Sequence, residues 1–424
     1  MRVAFYEKDI TPPLGGYLAG YFINYAADDV LDPLYVHAAV IDNGDTTVAV
    51  ITMDSCFLAD DMHDAVTKRI TEYTGIPARN VMLTVNHTHK GMPIYDSPEL
   101  NVYCDRAYKD VVYRLIADCV TLAYRRLEEA EISFGCGRVD DISFNRTHIM
   151  KDGTYRTNQW RNKDKVGYLA GIDPDLPVLY FKNLQGKPLG AISSFACHQD
   201  CVWDSAAYTA GFSSTLSREL KKEYGADFVT VLLEGTCGDI NNINPDMDEM
   251  PSDWYIHMGK RLADEAVKVV KNAAPITENT LFSHKEMIKI PCRACDRDSV
   301  VKSVQEFAQE GSLMSIRNLL YYAACNNYQT ADAEVYLQCI RIGDVLLYGY
   351  PGEIFVNFGL DLKKRSSSDK NIVASMCNSG SGYVATREAL GENSHLYEKG
   401  LSFTSCLAED AGYIMTDKLL ELAE

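Results

Sequence analysis

The chain has 424 residues, 46% hydrophobic and 24% charged, the balance of a folded globular protein long enough to bury a core without disulfides. Lys and Arg number 41 against 59 Asp and Glu, a formal net charge of −18. With no basic block to offset that charge, nucleic acid and anionic membrane are excluded as main partners.

The first residues, Met1-Arg2-Val3-Ala4-Phe5-Tyr6-Glu7, lack the apolar segment and cleavage site of a signal peptide. No apolar run is long enough for a transmembrane helix. The 13 scattered cysteines fit reduced thiols, so a cytoplasmic location is expected.

Along the chain, apolar β-rich runs alternate with helical patterns. Strands are predicted over 36–41, 48–53 and 81–85. A helix over 60–73 precedes the third of these and stops at Gly75-Ile76-Pro77. A helix over 106–129 follows, then strands over 178–181 and 191–196, a helix over 213–222 capped by Ser213, and a strand over 228–233. Helices over 254–273, 299–309 (capped by Ser299) and 313–324 lead to strands over 345–348 and 372–376 and a closing helix over 407–420. Segments 272–280 and 365–371 read as surface loops, and the acidic 246–253 as a solvated one. The pattern predicts an α/β fold: a layered domain of mixed β-sheets flanked by helices, one domain over 1–424.

Chemistry collects at strand ends. The run 81–85 leads into Asn86-His87-Thr88-His89, and residues two apart on a strand share a face. Either two imidazoles bind one metal, or one binds while the other acts on substrate, or both are surface histidines in a turn. The next runs end in His198, in Glu234 followed by Gly235-Thr236-Cys237-Gly238-Asp239, and in Pro351-Gly352-Glu353. In α/β sheets ligands bind at that carboxyl edge. Two histidines from separate strands and one glutamate form a three-ligand Zn²⁺ site with an open position. Other signals are weaker. Cys292-Arg293-Ala294-Cys295 is a lone pair, and Asp239-Ile240-Asn241-Asn242-Ile243 starts like a calcium loop but fails at Ile243. His37, His63, His257 and His284 read as structural, while His148 and His395 lie near the motifs that follow.

At these residues the sequence resembles the neutral/alkaline (non-lysosomal) ceramidase family. The resemblance rests on Asp9-Ile10-Thr11-Pro12-Pro13, Leu18-Ala19-Gly20-Tyr21, Asp32-Pro33-Leu34-Tyr35-Val36, Asn86-His87-Thr88-His89 and Phe195-Ala196-Cys197-His198. It continues through Gly238-Asp239, Pro351-Gly352-Glu353, Gly382-Tyr383-Val384-Ala385-Thr386 and Tyr397-Glu398-Lys399-Gly400, in family order. It implies a zinc amidase that cleaves an N-acyl bond by a metal-activated water. His87, His198, Glu353 and Tyr383 are implied as zinc ligands, and His89, Arg146 and Tyr397 as groups acting on the reacting carbonyl.

Two departures shape the expectation. Gly235 stands where the family often carries a serine, which favours activated water over an acyl-enzyme, with Thr236 the one substitute hydroxyl. No counterpart of the C-terminal β domain of longer members is expected. The expected partner is a small-molecule or lipid-like acyl substrate, ceramide-like or smaller and more polar, without stable membrane insertion. An ester, lactone or sugar derivative is the alternative substrate on the same scaffold, because fold similarity does not fix substrate.

Overall fold

Strands of near-continuous apolar sequence bury both faces, and here the two faces enter different cores. In the strand Tyr35–Asp42, Ala38 and Val40 pack with Val66 and Ile70 of the helix Met62–Thr74 and with Val112 and Ile116 of the helix Arg106–Tyr124. Ala39 and Ile41 point the other way and meet Ile340, Leu347 and Ile372 of a second sheet. The structure, a computed structural model, describes residues 1–20, 26–96 and 103–424; Tyr21 of the N-terminal motif lies outside them.

Among the described residues, the larger sheet runs in the order Val229–Glu234, Pro188–Phe195, Asp175–Asn183, Glu128–Arg138, Arg2–Asp9, Tyr35–Asp42, Thr47–Met53, Val81–Val85. It curls, so that Val229–Glu234 packs against Tyr35–Asp42, Thr47–Met53 and Val81–Val85 from the opposite end. The second sheet orders Leu281–Ile290, Ala333–Ile342, Val345–Gly349 and Asn371–Ala374. On its outer face Leu346, Tyr348 and Val373 pack under Phe358 and Leu362 of the helix Val356–Arg365 and Met415 and Leu419 of the helix Ala411–Glu421. The layers are therefore helix, sheet, sheet, helix, a mixed α/β fold.

Parallel pairing aligns the strand ends that carry the motifs. Phe195 registers with Glu234, Met53 with Val85, and Gly349 with Ala374. The two sheets are tied there by Ser375 N donating to Glu234 O at 2.7 Å and Asn378 N to Leu83 O at 2.7 Å. The predicted stop at Gly75 is a left-handed cap with φ 78°, a conformation glycine adopts without steric cost.

Several expectations are corrected. The helix from Arg106 ends at Tyr124, because Glu128–Arg138 is a strand paired along its length with Asp175–Asn183. Cross-strand burial of Ile132 and Phe134 overrides the helical leaning of its glutamates. Ser213 lies inside the helix Phe212–Tyr224, whose N-cap is Gly211. Ser299 is likewise inside its helix: the cap is Asp296, which accepts from Ser299 N at 2.9 Å. The closing helix starts at Ala411, since Leu407 is held in a bridge to Cys292. Segment 272–280 is not only loop: Ala274–Ile276 pairs with Glu128–Arg138. The helix Val356–Arg365 and the strands Arg2–Asp9, Leu281–Ile290 and Ala333–Ile342 went unpredicted.

Candidate metal centre

His87 follows the strand Val81–Val85 by two residues and sits at φ 63°, a left-handed conformation uncommon for a non-glycine residue. Its neighbour Asn86 holds the turn from both sides. The Asn86 amide donates to Asp54 Oδ1 at 2.7 Å, and its oxygen accepts from Thr88 N at 3.2 Å. Asp54 is anchored in turn by Tyr35 N at 2.7 Å.

The His87 ring lies 2.7 Å from the Cys56 carbonyl through Nδ1. A carbonyl only accepts, so Nδ1 carries a proton and Nε2 is the nitrogen able to offer a lone pair to a cation. Burial opposes charge on His87, but Cys56 and Glu353 outweigh it and hold the imidazole well above its ordinary value. His198 repeats this arrangement, with Nδ1 2.8 Å from Cys237 O and 3.2 Å from Ile240 O. Both Nε2 atoms face Glu353 Oε2, at 3.3 Å from His87 and 3.2 Å from His198. His198 Nε2 and both Glu353 oxygens are buried without a hydrogen-bond donor. His198 Nε2 and both oxygens of Glu353 thus converge without a hydrogen bond, an arrangement that costs folding free energy unless a cation sits among them. Burial opposes charge on Glu353, but His87 and His198 outweigh it and hold the carboxyl well below its usual range. The donor set fits Zn²⁺.

His89 adjoins the cluster, Nε2 to His87 Nε2 at 3.4 Å. Burial, then the charges of His87 and His198, hold its imidazole well below the ordinary value. It is neutral and able to accept or donate one proton. Gly20 of the N-terminal motif lies under this ring: a Cβ there would fall 2.6 Å from His89 Cγ.

Tyr383 is brought to the cluster by pairing rather than by spacing. The short parallel strands Glu353–Ile354 and Tyr383–Val384 put it in register with Glu353. Burial and the Glu353 charge raise its phenol well above the usual range. Arg146 is buried with its Cζ 5.3 Å over the Tyr383 ring and its Nη2 2.6 Å from Glu398 Oε1. Tyr397 is the exposed member of the predicted set, its ring 5.5 Å from Tyr383 at 89°.

Asp239 serves the frame. Its carboxylate oxygens accept from Val356 N at 2.7 Å and Asn145 Nδ2 at 2.8 Å, and its carbonyl accepts from Arg146 N at 2.8 Å. The Gly235 departure acquires a steric reason, because a Cβ there would fall 2.7 Å from Ala196 N and 2.8 Å from Ala196 Cα. Real Cβ atoms do not tolerate such backbone approaches, so no serine fits. The Thr236 hydroxyl packs against Gly359 instead, which makes it a poor substitute nucleophile. Among the other weak signals, Cys292 lies 4.0 Å from Cys406 Sγ, His395 pairs with Glu310 and His148 with the Arg146 carbonyl. Sequence reasoning missed Glu398 as the partner of Arg146, although the Tyr397-Glu398-Lys399-Gly400 motif contains it. It also missed Asp54 and the Cys56 carbonyl, which carry no local signal.

A layered α/β scaffold that buries two imidazoles and a carboxylate at strand ends defines a protein built around a candidate metal centre. The family model described as neutral/alkaline non-lysosomal ceramidase, N-terminal, matches residues 3–247, more than half of the chain. The chain belongs to that family. The neutral ceramidase of Pseudomonas aeruginosa is 27% identical over 154 residues, 35% of this chain and 22% of that protein. Neutral ceramidase B of Dictyostelium discoideum is 25% identical over 165 residues, 37% of this chain and 22% of that one. The matched region is thus about a fifth of these relatives' length. A crystal structure of the Pseudomonas aeruginosa neutral ceramidase superposes with a TM-score of 0.76 at 18% identity, covering 100% of this chain and 74% of that one. A ceramidase complexed with C2 gives 0.77 at 17% identity and the same coverage. These likenesses establish a common fold. Among the described residues, no helix is long and apolar enough to cross a membrane.

Proposed function

We propose that this protein is a zinc-dependent amidohydrolase that cleaves an N-acyl bond. The observation that carries the reading is the convergence of His87 Nε2 and His198 Nε2 on Glu353 Oε2, with His198 Nε2 and both Glu353 oxygens buried and without a hydrogen bond. His87, His198, Glu353 and Tyr383 would hold the ion. Zn²⁺ in such a set supplies Lewis acidity, polarising an acyl carbonyl and making water a stronger acid.

The chain's own groups do the rest. Glu353 holds negative charge against the two imidazoles and keeps their lone pairs aimed at one point. Neutral His89 takes a proton from the attacking water and returns one to the leaving amine. Arg146, locked by Glu398, presents a fixed positive charge toward the developing oxyanion, and the Tyr397 hydroxyl reaches in from the rim. Preorganised donors of this kind act without reorganising during the reaction. With Gly235 unable to carry a side chain, attack by water needs no acyl-enzyme.

The test is product release, read by mass spectrometry, from N-acyl amides running from acetyl amino-sugars to long-chain ceramides, with zinc and with a chelator. Chelator-sensitive amine release is the expected result; its chain-length profile fixes the acyl group. Failure of zinc-loaded protein to release amine from any member would overturn the amidase reading in favour of ester or sugar hydrolysis.

A further inference from the structure

The Cys292-Arg293-Ala294-Cys295 motif does not pair within itself. Cys295 is 1% exposed and packs with Val300, Phe307 and Leu319 in a small separate core. Cys292 instead lies against Cys406, 114 positions away, with the two Sγ atoms 4.0 Å apart. Both thiols are free and half-buried.

The backbone holds this pair in place. Beyond the strand Leu281–Ile290, residues 291–293 run antiparallel to 406–408. Arg293 N donates to Cys406 O at 2.8 Å, and Ala408 N to Pro291 O at 2.9 Å. Closing the gap to an S–S bond of about 2.05 Å takes an approach of about 2 Å, which rotation of two short side chains supplies.

The surroundings divide the work between the two sulfurs. The Cys292 thiol donates to Cys406, and with the Tyr322 hydroxyl and the Arg293 charge it outweighs burial, holding Cys406 below the ordinary thiol value. The same contact, together with burial, raises Cys292. Among the described residues, the Arg293 guanidinium pairs with no carboxylate. It donates to Lys399 O at 2.5 Å, Gly400 O at 3.4 Å and Ser405 Oγ at 3.1 Å, so its charge is left to favour a thiolate.

We propose that Cys292 and Cys406 are a peroxide-sensitive dithiol that closes to a disulfide, fastening segment 398–406 to the end of the strand Leu281–Ile290. Cys406 sulfur attacks hydrogen peroxide: an S–O bond forms, the O–O bond breaks, and one water leaves with the thiol proton. Cys292 sulfur then attacks the sulfenic acid: the S–S bond forms, the S–O bond breaks, and a second water leaves. Two thiols thus give two electrons and two protons to one peroxide. The fastened segment carries Glu398, which holds Arg146 at 2.6 Å.

The test treats the reduced full chain with a few equivalents of hydrogen peroxide, then alkylates the remaining thiols for peptide mass spectrometry. Loss of two of the 13 thiols, a cross-linked peptide joining Cys292 to Cys406, and full recovery with dithiothreitol are expected. Cys292→Ser should stop at a sulfenic acid on Cys406, captured by dimedone before the more exposed Cys136 and Cys325 react. Cys406→Ser should block both products. None of these readouts depends on amide cleavage, so the result stands apart from the amidase reading. Three outcomes would overturn the proposal: a Cys292–Cys295 disulfide, dimedone capture at Cys292 in Cys406→Ser, or both thiols still open to alkylation after Cys136 and Cys325 have oxidised.

Discussion

Glu353 and Glu234 are both about 1% exposed, and both follow apolar strands that end at the same edge of the molecule. Their surroundings set them to opposite charge states. Glu353 faces two imidazole nitrogens and is ionised. Glu234 accepts from Cys197 N at 3.3 Å, but burial pushes its carboxyl up to about 8, so it is protonated at neutral pH. Delivery to a strand end therefore does not by itself fit a carboxylate to hold a metal. The deciding feature is whether basic nitrogens share the space, as the Nε2 atoms of two histidines with their Nδ1 atoms occupied by carbonyls do.

Glu353→Gln tests that distinction most severely. Removing this negative charge should drop bound zinc to background by elemental analysis and abolish amine release, whereas Glu234→Gln should retain both. Zinc retained by Glu353→Gln and lost by Glu234→Gln would invert the comparison. His89→Ala comes next in size. It should keep the metal while kcat falls roughly 10²–10⁴-fold, the usual contribution of a positioned acid–base group. Full turnover by this variant would remove His89 from the mechanism. Smaller again is Asn86→Ala, which releases the turn that presents His87. Zinc affinity should weaken roughly 10–100-fold, the range for groups that support a metal ligand, measurable by competition with a chromophoric chelator.

Most of this chemistry was legible in the sequence because it is local. The run 81–85 with His87 and His89 after it, and the runs ending in His198, Glu234 and Glu353, announced a shared edge before any pairing was known. Strand identity inside 128–138 was not legible, since the glutamates at its start read as helix and only pairing with Asp175–Asn183 decides otherwise. The contrast between Glu353 and Glu234 was equally hidden, for both look like a carboxylate after an apolar run. Tyr383 reaches Glu353 through a two-residue pairing across thirty positions of sequence, and Asp54 supports His87 through Asn86. Neither arrangement follows from spacing. Both are properties of the folded layers.

The smallest predicted effect on function, and the sharpest on charge, comes from Glu234 itself. Its carboxyl stands at about 8 in the folded protein against 4.5 ordinarily. Between those values the folded state holds a proton that the unfolded chain releases, so rising pH favours unfolding. The contribution declines by up to about 1.4 kcal/mol per pH unit. It is fully present below pH 4.5 and exhausted above pH 8. Buried Asp54 and Asp239, each raised to about 6, add the same tilt only at lower pH. Lys285, lowered to about 7 by burial, tilts stability the other way above that pH. All three are present in wild type and in Glu234→Gln, so they cancel in the difference between the two urea-denaturation series. That difference should move steadily against the wild type from pH 6.5 to 8. Parallel series would mean that Glu234 is ionised like Glu353, and the contrast between the two glutamates would then have to rest on geometry alone.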